Sequence, residues 1–211
     1  MIYPPKELIE TFKKCPGAFS VSEAIALYNI VKEAPQGIYA ELGTHKGKSG
    51  IITAAALKPG IFYLIDTEFS DEKWAIETAA KVFNASDKKV ETEPIGMLSI
   101  DFIPEHDNYS YVMVDTGDHS EELVMAELSL LINRIVPDGI IAFHDLDNQF
   151  TGVRKGYDYM LSTGWYEPIH IDWKQIFDYV RENNLEEGNN SWHEKGSEEF
   201  PKFVGAIKRK K

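Results

Sequence analysis

The sequence is short of cysteine, of positive charge and of long apolar runs, and each shortage closes off a class of protein. Cys15 is the single cysteine among 211 residues, so no intrachain disulfide forms and a reducing, cytoplasmic setting is expected. No thiolate-activating motif surrounds it, which leaves it a small buried hydrophobe. Lys and Arg number 22 against 34 Asp and Glu, a net charge of −12. That balance disfavours nucleic acid and anionic membrane surfaces as partners. The basic end, Lys208-Arg209-Lys210-Lys211, is too short to reverse it and reads as a solvated terminus. No apolar stretch approaches the roughly 20 residues that a membrane-spanning helix needs. Met1 to Lys14 carry Pro4, Pro5 and scattered charges, so a signal peptide is not expected there.

What is present is the mixture of an ordinary globular chain, 43% hydrophobic and 27% charged, at a length that suits one domain with a sizeable core. Its most informative pattern is a set of four apolar runs that each stop at a polar or acidic residue. They are Ile38-Tyr39-Ala40-Glu41-Leu42-Gly43, Ile61-Phe62-Tyr63-Leu64-Ile65-Asp66, Tyr111-Val112-Met113-Val114-Asp115 and Ile140-Ile141-Ala142-Phe143-His144-Asp145. Near-continuous runs of this kind read as strands buried on both faces, the habit of a parallel sheet. Ligands of such sheets sit beyond the carboxyl ends of the strands. Glu41, Asp66, Asp115 and Asp145 are therefore expected along one edge.

Between the runs the pattern turns helical, and a βαβα alternation implies a doubly wound α/β sheet with right-handed crossovers. Residues 1–36 read as an N-terminal helical layer, with a weak helix near Lys6–Lys14. A second follows a capping box of Ser20 and Glu23 and runs to about Val31. Residues 37–147 form a cofactor-binding core. Its helices begin near Lys48, after a cap at Ser70 with Ile76, Ala79, Ala80 and Phe83 as the buried stripe, and after a cap at Ser120. A weak strand spans Val90–Ile95, and Pro137-Asp138-Gly139 turns into the last strand of the core. Residues 148–211 are looser: a helix near 152–161, strands near 165–171 and 203–208, and a polar loop over 181–200 that reads as a lid or a disordered segment.

Glu41-Leu42-Gly43-Thr44-His45-Lys46-Gly47-Lys48-Ser49-Gly50 joins the first strand to its helix, and its Gly47-Lys48-Ser49 resembles the end of a phosphate loop. That motif needs four residues between its first glycine and Gly-Lys-Ser, and Gly43 and Gly47 enclose three. The dinucleotide fingerprint fails as well, because His45 stands at its second glycine. What fits is Glu-x-Gly-x-x-x-Gly followed by Asp66, whose carboxylate can accept both hydroxyls of a ribose. Glu41 places a negative group where a phosphate site would avoid one. The ligand implied is a nucleoside of positive charge, and S-adenosylmethionine is such a molecule. A P-loop nucleotide hydrolase or kinase, and a non-catalytic binding module of the same fold, are the rival readings.

The stretch from Glu41 to Ser49 resembles the first motif of class I methyltransferases, in particular the catechol and small sugar O-methyltransferase groups. Val114-Asp115-Thr116-Gly117-Asp118-His119, a helix, Pro137-Asp138-Gly139 and Phe143-His144-Asp145 complete the same order. The resemblance covers 38–147 and implies a seven-stranded, mostly parallel, Rossmann-like sheet with an N-terminal helical extension. It implies that Gly43, Thr44, Gly47 and Ser49 line the methionine end of S-adenosylmethionine, with Glu41 and Asp115 also among the cofactor-binding residues. Asp66 would hold the ribose, and Met97 and Leu98 would flank the adenine. The reaction expected is methyl transfer to a hydroxyl of a small molecule, sugar-like or phenolic.

Such a transfer is an in-line displacement, and the acceptor's hydroxyl needs a base or a cation to lower its pKa. Asp115, His144 and Asp145 sit at neighbouring strand ends and could hold a divalent ion, Mg²⁺ by their oxygens, or manganese or iron given the imidazole. Without a metal, His144 would orient the acceptor. Asp118 stands where the catechol-type enzymes carry their general base. His119 is the better neutral-pH base by its unperturbed pKa of about 6.5. The alternative for this pair is structural, Asp118 capping the next helix and His119 packing beside the loop. Trp165, Tyr166, Trp173 and Trp192 form either an aromatic wall over the acceptor or part of the core.

Overall fold

The apolar runs become β1 (Ile38–Leu42), β2 (Gly60–Ile65), β4 (Tyr109–Val114) and β5 (Ile135–Phe143), and the weaker stretch becomes β3 (Val90–Ile95). These five are parallel. With β6 (Tyr166–Pro168) and β7 (Gly205–Arg209) they form one sheet in the order β3-β2-β1-β4-β5-β7-β6, β7 lying antiparallel to both of its neighbours. The structure is a computed structural model that describes residues 1–117, 119–146, 150–185 and 204–211. The expected seven-stranded, mostly parallel, doubly wound sheet is therefore present.

Among the described residues eight α-helices cover it: α1 (Lys6–Lys14), α2 (Val21–Glu33), α3 (Lys48–Ala56), α4 (Glu72–Ala85), α5 (Ser99–Phe102), α6 (Glu121–Leu131), α7 (Thr151–Ser162) and α8 (Trp173–Glu182). Strand side chains alternate between the two layers. Tyr39, Phe62, Leu64, Tyr111 and Met113 join the core with α1 to α4 and α8. Ala40, Leu42, Tyr63, Val112 and Val114 join the core with α5, α6 and α7. Both faces are thus dry, which is why the strands read as unbroken apolar runs. Each large side chain so buried contributes about 1.5–3 kcal/mol.

The N-terminal layer folds as its signals predict. The Ser20 hydroxyl caps the Glu23 amide, and Glu23 Oε2 accepts from the Ser20 amide at 2.7 Å, completing the capping box. Other expectations need correction. The cap of α4 is Asp71, which accepts from the Trp74 amide, and Ser70 ends a short 3₁₀ turn before it. The buried face of α4 is Ala75, Thr78 and Val82, while Ile76 is 58% exposed. The physical reason lies in α3: a Cβ at Gly47 would come within 2.7 Å of Thr78, and one at Gly50 within 3.1 Å of Val82. α4 therefore turns its own small face to the glycines instead of its bulkiest stripe. β5 begins at Ile135, ahead of the predicted turn, with a register shift against β4. The segment after β6 contains a helix, α8, capped by Asp172 and anchored by buried Ile176 and Val180. Residues 186–200 of the predicted loop, including Trp192, lie outside the described residues.

Candidate active site

β1 and β4 are neighbours although α3, β2, α4, β3 and α5 separate them in the chain, so the sheet order reverses between them. Beyond their carboxyl ends the crossovers diverge to opposite faces and leave a crevice. Gly43 makes that crevice possible. Its φ is +90°, and a Cβ there would lie 2.1 Å from the Asp115 carbonyl oxygen. Its amide donates to Ile65 O at 2.9 Å, and the Asp115 amide donates to Leu42 O at 2.9 Å. The glycine loop is thereby stapled to β2 on one side while β4 is stapled to β1 on the other.

A cleft of about 210 Å³ opens here, lined by Gly43, Thr44, Ser49, Asp115, His119, His144 and Asp145 among others. Seven residues expected at the site from sequence thus meet in one place. Glu41 stands just behind it, fully buried, with the Ser49 hydroxyl donating to its Oε1. Its other oxygen has no hydrogen-bond partner among the described residues. Burial, with Asp115 and Asp66 nearby, pushes its pKa up to about 8, despite the Ser49 hydrogen bond. Gly47, at φ +75°, begins α3 and is buried.

Asp66, Met97 and Leu98 are not in the lining of the cleft but continue along the same sheet edge. Asp66 ends β2, and its carboxylate accepts from the His45 amide at 2.7 Å and from the Glu68 amide at 2.9 Å. It is a loop cap, with lone pairs left for a further donor. Met97 and Leu98 follow β3, and Leu98 presents 51% of its surface to solvent. Asp118 lies outside the described residues.

The acidic corner is more connected than its sequence suggests. His144 Nδ1 lies 3.0 Å from Asp115 Oδ1 and 3.2 Å from Asp145 Oδ2. Its Nε2 faces Glu23 Oε1 at 3.4 Å, and its ring stacks on Phe19 with centroids 4.5 Å apart. Burial alone would favour neutral imidazole, yet the three carboxylates hold its pKa well above the usual value.

The donors that converge on one point are Asp115, His119 and Asp145, whose ligand atoms all lie within 4.8 Å of one another. His119 thus joins the two carboxylates from one side, while His144 Nδ1, the nitrogen to which the sequence pattern pointed, borders the same pair from the other. His119 Nε2 is 3.1 Å from Asp145 Oδ2, and that bond raises its pKa. The two His side chains hold Asp145 well below the ordinary carboxylate range although burial opposes this.

Sequence reasoning missed Phe19, Glu23, His45, Lys46 and Lys48 as neighbours of the cleft. Pro16 to Phe19 form its N-terminal wall, held by the Lys48 ammonium, which donates to Gly17 O at 3.0 Å. The capping box was a visible signal for Glu23, but only for its local role. Among the described residues the aromatic wall does not form and the core alternative holds for Tyr166, which donates to Ile132 O, while Trp165 is exposed and Trp173 stacks on Phe177.

A crevice at the reversal of a mostly parallel sheet, a glycine loop backed by a buried acid, and an acid at the end of β2 define a class I, SAM-dependent methyltransferase. Residues 40–146 match the methyltransferase domain family, and the chain belongs to it. That membership removes the P-loop rival. Among solved structures, the chain is similar to the O-methyltransferase TomG from Streptomyces achromogenes, involved in tomaymycin synthesis and in complex with SAM. The TM-score is 0.62 at 15% identity, over 100% of this chain and 93% of that one. It is also similar to an O-methyltransferase from Bacillus cereus in complex with SAH (TM-score 0.59, 14% identity, 99% and 94% covered). An rRNA methylase from Streptococcus thermophilus is a third neighbour (TM-score 0.55, 12% identity, 89% and 94% covered). At these identities the likeness is one of fold. No curated protein matches the chain. Among the described residues no helix is long and apolar enough to cross a membrane.

Proposed function

We propose that the chain transfers a methyl group from S-adenosylmethionine to a hydroxyl of a small, sugar-like or phenolic acceptor. The observation that carries this reading is the His119–Asp145 pair, 3.1 Å apart and open to the same cleft as the glycine loop. When bound, the cofactor supplies an electrophilic methyl on a sulfonium. The residues fit it: Glu41 offers an unpartnered buried oxygen, Asp66 an acceptor for ribose hydroxyls, and Leu98 an apolar surface for a flat base.

With Nε2 of His119 held by Asp145, Nδ1 is the nitrogen left to take the acceptor's proton. Asp145 keeps the tautomer and stabilises the charge that forms, the logic of a paired carboxylate and imidazole. His144 offsets the charge of Asp115 and Asp145, so the corner is not a bare cluster of anions. Phe19 and Pro16 to Ala18 line one side of the cleft. A net charge of −12 argues for a small acceptor over nucleic acid.

A second reading of the same corner rests on the convergence of Asp115, His119 and Asp145. Two carboxylates and one imidazole suit magnesium, manganese or iron, which would acidify a hydroxyl bound there. Titration calorimetry with S-adenosylhomocysteine, then labelled S-adenosylmethionine with a panel of alcohols and phenols, tests the proposal, each with and without a chelator. Micromolar binding and label transfer are expected. Absence of binding overturns it, and binding without transfer to any hydroxyl leaves the non-catalytic module in its place. Transfer abolished by the chelator and restored by an ion selects the metal reading.

A further inference from the structure

One buried acid has no part in the chemistry above. Glu127 lies on α6 between Val124 and Leu128, on the stripe that packs against the sheet, and is fully buried. An ionisable group in an apolar stripe is costly unless it is hydrogen-bonded. Glu127 is: the Ser99 hydroxyl donates to its Oε1, and the Thr116 hydroxyl donates to its Oε2 at 3.3 Å.

Those two donors belong to different parts of the sheet edge. Ser99 begins α5, immediately after Met97 and the exposed Leu98 at the end of β3. Thr116 follows Asp115 at the end of β4. Ser99 is otherwise the first residue of a four-residue helix that has no side-chain cap. Removing the carboxylate would therefore remove the side-chain tie between the start of α5 and the end of β4, leaving the apolar packing of Phe102 and Ile103 to hold the segment.

We propose that Glu127 is a positioning residue for the nucleoside end of the cofactor, fixing the Met97–Leu98 shelf relative to β4 through Ser99 and Thr116. The inference rests on the cofactor reading above and deepens it: it says what holds the adenine side of the crevice. Hydroxyls both donate and accept, so a glutamine at this position can accept from Ser99 and donate to Thr116. An alanine can do neither.

The test compares Glu127→Ala and Glu127→Gln with the wild-type chain. Calorimetry measures two ligands, S-adenosylhomocysteine and 5′-methylthioadenosine, which share the nucleoside and differ in the amino-acid end. The alanine variant is expected to weaken both by the same factor, about tenfold or more, as for loss of two buried hydrogen bonds. Glutamine should restore affinity to within about threefold. In turnover, KM for S-adenosylmethionine should rise with kcat little changed, because the acceptor side keeps its residues.

If the alanine variant does not fold, Ser99→Ala removes one arm alone and should show the same equal loss for both ligands at smaller size. Alanine-variant affinities within twofold of wild type overturn the proposal, as does a loss confined to S-adenosylhomocysteine. Wild-type protein that binds neither ligand overturns the cofactor reading, and this inference with it.

Discussion

Glu23 and His144 meet behind the cleft, one in the first turn of α2 and the other at the end of β5, with Oε1 and Nε2 3.4 Å apart. A residue that caps a helix in the N-terminal layer thus also faces a buried cation of the active corner. Both groups are nearly without solvent contact, so removing Glu23 takes away one of the three carboxylates that face the His144 ring as well as the helix cap. Glu23→Ala should destabilise the fold by about 3 kcal/mol or more. Ser20→Ala, which removes the cap alone, should cost about 1 kcal/mol. Chemical denaturation of the two variants decides; equal losses would reduce Glu23 to its capping role.

Asp66 is expected to show two losses at once. Asp66→Ala should weaken S-adenosylhomocysteine by about 1–3 kcal/mol, the range for charge-assisted hydrogen bonds. The same change frees the amides of His45 and Glu68, which its carboxylate now accepts, so the unfolding midpoint should fall as well. Calorimetry and thermal unfolding on the same sample separate the two. Unchanged affinity in a destabilised variant would leave Asp66 a loop cap and nothing more.

His119→Ala should lower kcat by about 10²–10⁴, the usual contribution of a positioned base, and leave S-adenosylhomocysteine affinity near wild type. Asp115→Asn should cut turnover because its carboxylate faces the cleft, and should lower the unfolding midpoint as well, since that carboxylate pairs with His144. Single-turnover kinetics at saturating cofactor is the measurement. A His119→Ala chain that turns over at the wild-type rate would remove the base from the mechanism.

Glu41 makes stability fall with rising pH. Its carboxyl ionises near the ordinary 4.5 in the unfolded chain and at about 8 in the folded one. Between those values the unfolded state releases a proton that the native state keeps, so its contribution is full below 4.5 and lost as pH approaches 8. Glu41→Gln cannot ionise and can still accept from Ser49. It should unfold at a higher temperature than wild type at pH 8 by an amount worth at least about 1 kcal/mol, with the gap shrinking toward pH 5. A gap independent of pH would show that Glu41 is charged in the native protein.

Strands and their ends were legible because the cause is local: a strand dry on both faces has to be apolar throughout, and its exit has to be polar. Ser20 with Glu23, and Gly43 at the mouth of β1, could be read for the same reason. The buried face of α4 could not, since it depends on two glycines of α3 that accept only small neighbours. α8 escaped notice because its buried contribution is confined to Ile176 and Val180 amid polar residues.

The linear chain already carried the fold class and the acids that end β1, β2, β4 and β5, because burial in a parallel sheet leaves a direct mark on residue order. That His119 joins His144 at the same carboxylates, which acid backs His144, and that Glu127 spans two strand ends were settled by packing. Such contacts join residues from separate crossovers, and no spacing along one segment encodes the distance between them.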